Sequence, residues 1–227
     1  MSARQIAALY VETDGCYFGQ AGVEPWDVTR DARSYDGPHP VVAHPPCQRW
    51  GRYWHGSPRK PHQYRLGADG GCFGSALTAV RNFGGVLEHP RDSHAWAWFG
   101  IKAPPRKGGW VWADAFGGWT CCVSQGHYGH FAGKPTWLYA VGCDLPDLIW
   151  GESDSGPTPE MVARYGYEKA RRVGRMALIG GKDKTRIRDA TPALFRDVMV
   201  SMARTVGVSA MVAANSNAPA DLLAAVA

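Results

Sequence analysis

Short apolar runs that stop at proline or glycine dominate the first half of the chain. Residues 7–12 carry Ala7, Ala8, Leu9, Tyr10 and Val11 in a row and end near the turn-forming Asp14-Gly15. A second run, Val41-Val42-Ala43, is cut off by His44-Pro45-Pro46, and a third, Val86-Leu87-Glu88, by His89-Pro90. Each is too short for a helix and reads as a buried strand, because proline cannot donate to a ladder and pushes the residue before it into an extended conformation. Residues 119–124 and 136–141 read as two further strands. Helical spacing is confined to a few places. Phe73, Leu77 and Val80 share one face of a helix predicted from Asp69, its cap, to Phe83, with Gly84-Gly85 as its stop. Residues 159–175 are partly helical. Thr191-Pro192 predicts a last helix, Thr at the N-cap and Pro at the first position, with Leu194, Phe195, Val198, Met199, Met202 and Val206 as its apolar stripe. Residues 23–36 show no long amphipathic helix. Residues 51–67 read as a surface loop, 91–118 as an irregular rim and 145–159 as a linker.

The order strand, loop, helix, strand over residues 41–88 predicts two parallel strands joined by a right-handed crossover. The expected fold is therefore α/β, a mostly parallel sheet with helices on its faces. Residues 1–150 would form the core and 151–207 a basic segment plus a C-terminal helix packed on it, while the alanine-rich 208–227 would form a flexible tail. Ligands of open α/β sheets bind outside the carboxyl ends of the strands. Cys47, just after His44-Pro45-Pro46, and Glu88, just before His89-Pro90, should then face one crevice. The plainer alternative for Cys47 is a small residue buried in a turn.

Composition narrows the function classes. With 45% hydrophobic residues the chain is globular rather than disordered, no apolar run approaches a membrane span, and the start lacks a signal-peptide pattern. Six cysteines without a CxxC pair suggest a reducing cytoplasm, that of the host if a phage encodes the protein. The net charge is only +5, yet nine Lys and Arg residues between 164 and 188 face just Glu168 and Asp183. Such a stretch is either a solvated face or a footprint on phosphates. Ten tryptophans, several beside Arg and Gly, suit base stacking as well as core packing. His44, Cys47, His89, His127 and His130 include an HxxH spacing, which keeps a zinc- or iron-dependent nuclease or hydrolase open as an alternative.

Five short blocks carry a family resemblance. Pro45-Pro46-Cys47-Gln48 resembles the nucleophile loop of the DNA cytosine-5 methyltransferases, and Leu87-Glu88-His89-Pro90 resembles their second catalytic strand end. Tyr128-Gly129-His130, Lys134 and the run from Trp137 to Gly142 are similar to a later block of the family. Arg188 with Thr191-Pro192 is similar to its Arg-x-x-Thr-Pro segment, and Asp31-Ala32-Arg33 stands where an acidic motif precedes the nucleophile strand. All five occur in the family's order. Similar short proteins with such blocks occur among bacteriophage genes.

The resemblance implies a truncated, Rossmann-like methyltransferase core that modifies DNA with S-adenosylmethionine. Cys47 would be the nucleophile, favoured by a lowered thiol pKa, Glu88 the residue that holds the base at N3 and its amine, and Lys134 a contact to O2. Glu12, Asp31, Pro45 and Pro46 would meet the cofactor. Gln48, Arg49, Trp50, Arg52, His89, His127, Tyr128, His130, Arg171, Arg172 and Arg188 would meet DNA, from which the base must be extruded. Two family features, the Phe-x-Gly-x-Gly turn and the large target-recognition domain, are not found. Their lack leaves a third reading, a catalytically inactive methyltransferase-like protein that binds DNA or blocks restriction.

Overall fold

The proline-terminated apolar runs lie side by side in one sheet. The computed structural model describes residues 4–56, 64–153, 156–179 and 183–207. Strands β1 (Ile6–Leu9), β3 (Val41–Ala43) and β4 (Gly85–Pro90) are adjacent and parallel, Ala7 opposite Val41 and Val41 opposite Gly85. Every residue of β1 and β3 is buried, as strands covered on both faces must be. Strand β1 stops at Leu9 rather than running on to residue 12, because Tyr10 turns to a positive φ. Helix α1 (Cys72–Phe83) crosses over between β3 and β4, as its spacing predicts. The N-cap is Gly71 rather than Asp69, but Asp69 still serves the first turn: Oδ2 accepts the Phe73 N–H at 2.8 Å and Oδ1 the Gly71 N–H at 2.9 Å.

The rest of the sheet departs from the expectation. Strand β2 (Val23–Trp26) adds parallel to the outer side of β1, and its Pro25 is tolerated because the strand is at the edge. Beyond β4 come β7 (Pro135–Val141), β6 (Gly118–Ser124) and β5 (Val111–Trp112), giving the order β2-β1-β3-β4-β7-β6-β5. Strands β4 and β7, β7 and β6, and β6 and β5 all pair antiparallel. The fold is a mixed α/β sheet, with three of its six pairings parallel, instead of a mostly parallel one. The physical reason is the short 125–134 connection, which can return the chain only as a neighbouring antiparallel strand.

Alternation along the strands sorts the core into two layers. On one face Phe73, Ala76, Leu77 and Val80 of α1 pack on Ala7, Leu9, Val41, Ala43, Leu87 and Tyr139, with Trp50 and Trp96 completing the layer. On the other face Phe195, Met199, Met202 and Ala203 of the last helix pack on Ile6, Ala8, Val42, Val86, Leu138 and Ala140. The short helix α2 (His94–Trp98) lies within the expected rim, followed by α3 (Pro159–Tyr165), α4 (Tyr167–Val173), α5 (Asp183–Asp189) and α6 (Ala193–Arg204). Helix α6 begins one residue later than Thr191-Pro192 suggests: Pro192 is the N-cap, without a side-chain bond, and Leu194 points to solvent. No helix among the described residues is long and apolar enough to cross a membrane. The tail expected at 208–227, and Arg59, Lys60, His62 and Lys182 of the basic stretches, lie outside the described residues.

Gly85 is the tightest point of the sheet. Its φ is +120°, and a Cβ there would run into the backbone carbonyl of Val41 on the paired strand. Gly85→Ala is expected to cost about 3 kcal/mol or more, since both the backbone conformation and the β3–β4 spacing must yield. Urea denaturation of the two proteins measures it.

Candidate active site

The chain runs from β1 outward to β2, then back across β1 to β3, so the direction of winding reverses between β1 and β3. Such a switch point leaves a crevice at the carboxyl ends of the strands. A cavity of ≈ 210 Å³ sits there, lined by Tyr10, Glu12, Cys16, Tyr17 and His44 on the sheet side and by Asp189, Ala190 and Thr191 opposite.

His44 occupies the first position beyond β3, where its N–H still donates to the Leu9 carbonyl of β1 at 3.0 Å. One residue past the Ala43–Leu87 pair, it stands beside Glu88 of β4. The His44 Nδ1 lies 3.0 Å from Glu88 Oε2, and Tyr17 Oη lies 2.7 Å from His44 Nε2. The other carboxylate oxygen, Oε1, accepts from Gln125 Nε2 at 3.0 Å and Thr136 Oγ1 at 3.2 Å. Burial alone would raise the Glu88 pKa, but the His44 hydrogen bond and the nearby Lys134, His44 and His89 outweigh it and bring it down to about 2. Glu88 is thus an ionised carboxylate held at both oxygens. Burial pushes the Tyr17 phenol well above its ordinary range, so it stays protonated.

Cys47 lies four residues beyond Ala43 in the stiff loop, partly buried. Glu88 and Asp189 both act on the thiol electrostatically, while the walls of the cavity are formed by other residues, His44 and Asp189 among them. The expected lowering of its pKa is not found. Burial pushes the thiol up, Glu88 and Asp189 add to that, and Arg188 opposes them.

The β6–β7 connection supplies the roof. Lys134 Nζ donates to the Asp189 and Ala190 carbonyls at 3.0 and 2.8 Å, and His130 Nε2 to the Ile187 carbonyl at 3.0 Å. These are the unpaired carbonyls at the C-terminal end of α5, where the helix dipole favours positive charge. Lys134 therefore acts in this structure as a clamp on residues 187–190, which carries Arg188 and Asp189 to Cys47.

The other expected site residues divide clearly. Glu12 is exposed at the cavity, while Asp31 caps the 32–34 turn and ion-pairs with Arg33, away from its wall. Pro45 is buried and Pro46 half-buried. Gln48 and Arg52 are exposed; the Arg49 guanidinium lies 3.3 Å over the Tyr64 ring. Trp50 is a core residue, its Nε1 donating to Asp69 Oδ2 at 2.7 Å, and so presents no surface to DNA. His89 is likewise fully buried, bonded to Ser93 Oγ at 2.8 Å and stacked on Trp96; burial lowers its pKa to about 4. Tyr128 packs on Phe195 and accepts the Ile149 N–H, and His127 Nε2 donates to the Gly151 carbonyl. Arg171 and Arg172 are exposed on α4. Among the described residues no group of three or more His, Cys, Asp or Glu could hold a metal ion.

Sequence reasoning passes over Tyr17, His44 as a partner of Glu88, Gln125 and Thr136. The one local signal is a polar Thr136 beside the apolar run of β7. It also passes over Asp27, whose buried carboxylate accepts from Thr13 and Thr29 and pins the 13–15 turn to the end of β2. No protein-family model, curated protein or solved structure matches the chain.

Both depressed pKa values make stability fall with acid. The unfolded chain binds a proton at His89 below pH 6.5 and the folded one only below about 4, so stability drops across that window. Glu88 stabilises the fold above its ordinary 4.5, and that contribution disappears as pH falls toward about 2. Acid titration of chemical stability should show both steps, with the lower one flattened in Glu88→Gln. Lys134→Met is expected to speed amide exchange at 187–191 and alkylation of Cys47 several-fold, read by peptide-resolved mass spectrometry.

Proposed function

We propose that the protein transfers a group to C5 of a pyrimidine base in DNA through a covalent Cys47 adduct, in the manner of the cytosine-5 methyltransferases. The observation that carries this reading is the placement of Cys47 and Glu88 at the carboxyl ends of the adjacent parallel strands β3 and β4, beside a switch point that holds a cavity. A thiol and an oriented carboxylate are what addition to C6 needs. The sulfur bonds to C6, the C5–C6 π pair moves so that C5 becomes nucleophilic, and Glu88 contacts the edge of the ring that carries N3. After C5 takes its new group it releases its proton to solvent, and the C5–H electron pair re-forms the C5–C6 double bond as the sulfur leaves as thiolate. The raised thiol pKa means that Cys47 rests protonated and must lose its proton as the base arrives.

The parallel β2-β1-β3-β4 half supports the finer reading of a Rossmann-like core. Exposed Arg164, Lys169, Arg171, Arg172, Lys184 and Arg186 on α3 to α5, in the segment that roofs the crevice, suit the phosphates of a nucleic acid. S-adenosylmethionine would supply an electrophilic methyl group. The cavity, at ≈ 210 Å³, is smaller than the ~300–1,000 Å³ of small-molecule sites, so the whole cofactor does not fit while residues 189–191 form its wall. No step is therefore derived through it.

The second reading, a catalytically inactive DNA-binding protein, is favoured by the occupancy of both Glu88 oxygens and by the protonated thiol. Duplex DNA containing 5-fluorocytosine, with and without S-adenosylmethionine, separates the two. The proposal expects a denaturant-stable adduct that Cys47→Ser abolishes; DNA binding without any adduct would establish the inactive binder instead.

A further inference from the structure

A second and larger cavity, ≈ 400 Å³, opens between α6 and residues 144–149 and shares no lining residue with the crevice. Its volume falls within the ~300–1,000 Å³ of sites that hold a ligand. Pro146, Leu148 and Ile149 form one wall, and Val198 and Met202 of α6 form the other. The open surface runs on past the cavity. Leu194, Val198, Ser201 and Thr205 follow one another at helical spacing on a single face of α6, about 16 Å long at ~1.5 Å per residue. Leu194 is 64% and Ile149 51% exposed, so nothing among the described residues covers either end of this groove.

The rim carries one sign of charge, although the chain as a whole is at +5. Asp144 and Asp147 line the cavity, and no Lys, Arg or His does. Asp147 gives Oδ1 to the Trp150 indole N–H at 2.7 Å, and no described residue takes its Oδ2. The arginines at this end of α6, Arg4 and Arg204, donate instead to the Val206 and Ala21 carbonyls. Tyr128, only 8% exposed, adds a directed group. Its Oη accepts the Ile149 N–H at 3.1 Å, and among the described residues nothing accepts the phenolic proton. We propose that this groove docks a basic amphipathic helix of a partner protein, its apolar stripe laid along α6 and its Lys or Arg on Asp144 and Asp147. Such a helix presents apolar residues at the spacing this face of α6 offers, and a peptide carbonyl supplies the acceptor for Tyr128. The chain's own residues 208–227, whose one charged side chain is Asp221, would bring a like charge to the rim. Docking here is independent of base modification in the crevice.

Two fluorescent helical peptides of one pattern test it, Leu along one face and either Lys or Glu along the other. Net charge alone would favour the Glu peptide, so the comparison isolates the rim. Anisotropy with the full-length protein should show the Lys peptide bound about tenfold more tightly, and peptide-resolved amide exchange should slow at 144–149 and 198–205 on binding. Joint replacement Asp144→Asn and Asp147→Asn, which keeps an acceptor for Trp150, should weaken the Lys peptide about fivefold. Ser201→Trp, at an exposed position beside the groove, should fill it and weaken binding about tenfold or more. A Glu peptide that binds as tightly as the Lys peptide, or a Lys peptide indifferent to both sets of substitutions, overturns the proposal. A wild type that binds neither peptide also overturns it, and two results then name the occupant. Recovery of binding on joint Leu222→Asp and Leu223→Asp assigns the groove to residues 208–227; a dimer in sedimentation that Ser201→Trp separates assigns it to a second copy of the chain.

Discussion

A buried, ionised carboxylate is costly unless each of its oxygens is engaged, and the Glu88 site is built around meeting that requirement. Three donors, His44, Gln125 and Thr136, and Tyr17 behind His44 come from distant parts of the chain. His44 follows β3, Tyr17 stands behind it from the β1–β2 connection, and Gln125 and Thr136 flank the β6–β7 hairpin. None of these lies within 25 residues of Glu88, so the charge is tolerated only once β1, β3, β4 and the hairpin have assembled. Function and fold meet at one side chain. The contacts that make the carboxylate affordable also fix both of its oxygens in place.

The parts of the fold legible in the sequence are those whose signals are local. Val41-Val42-Ala43 and the run before His89-Pro90 are bounded by prolines, and α1 carries its own cap and stop, so the β3–α1–β4 unit follows from neighbouring residues alone. The placement of Cys47 and Glu88 at neighbouring strand ends follows from that unit as well. Strand β2 escapes because Val-Glu-Pro-Trp carries the marks of a turn and is stabilised only by the edge of β1. The insertion of β7 between β4 and β6 escapes because nothing in either strand's own sequence states which edge it joins.

The site shows the same division with sharper consequences. Cys47 and Glu88 can be found from their neighbours, but the direction in which the thiol shifts depends on burial and on Asp189, 142 positions away in the chain. Lys134 and His130 read as contacts to a substrate because a cation in a loop invites that role. In the folded chain their donors are directed at the carbonyl end of α5 instead. Trp50 and His89, which look like surface recognition residues beside a proline loop, turn out to fill the layer under α1.

The β6–β7 hairpin grips the crevice at two levels. Its inner residues, Gln125 and Thr136, hold the carboxylate at the floor, and its tip, through His130 and Lys134, holds the roof formed by 187–190. Floor and roof thus hang from the same stretch, residues 125–136. Anything that draws the roof aside, whether a nucleic acid engaging the basic helices or a ligand swelling the cavity, pulls on the bend that also steadies Glu88. The hairpin makes the opening of the crevice and the set of its carboxylate a single mechanical event.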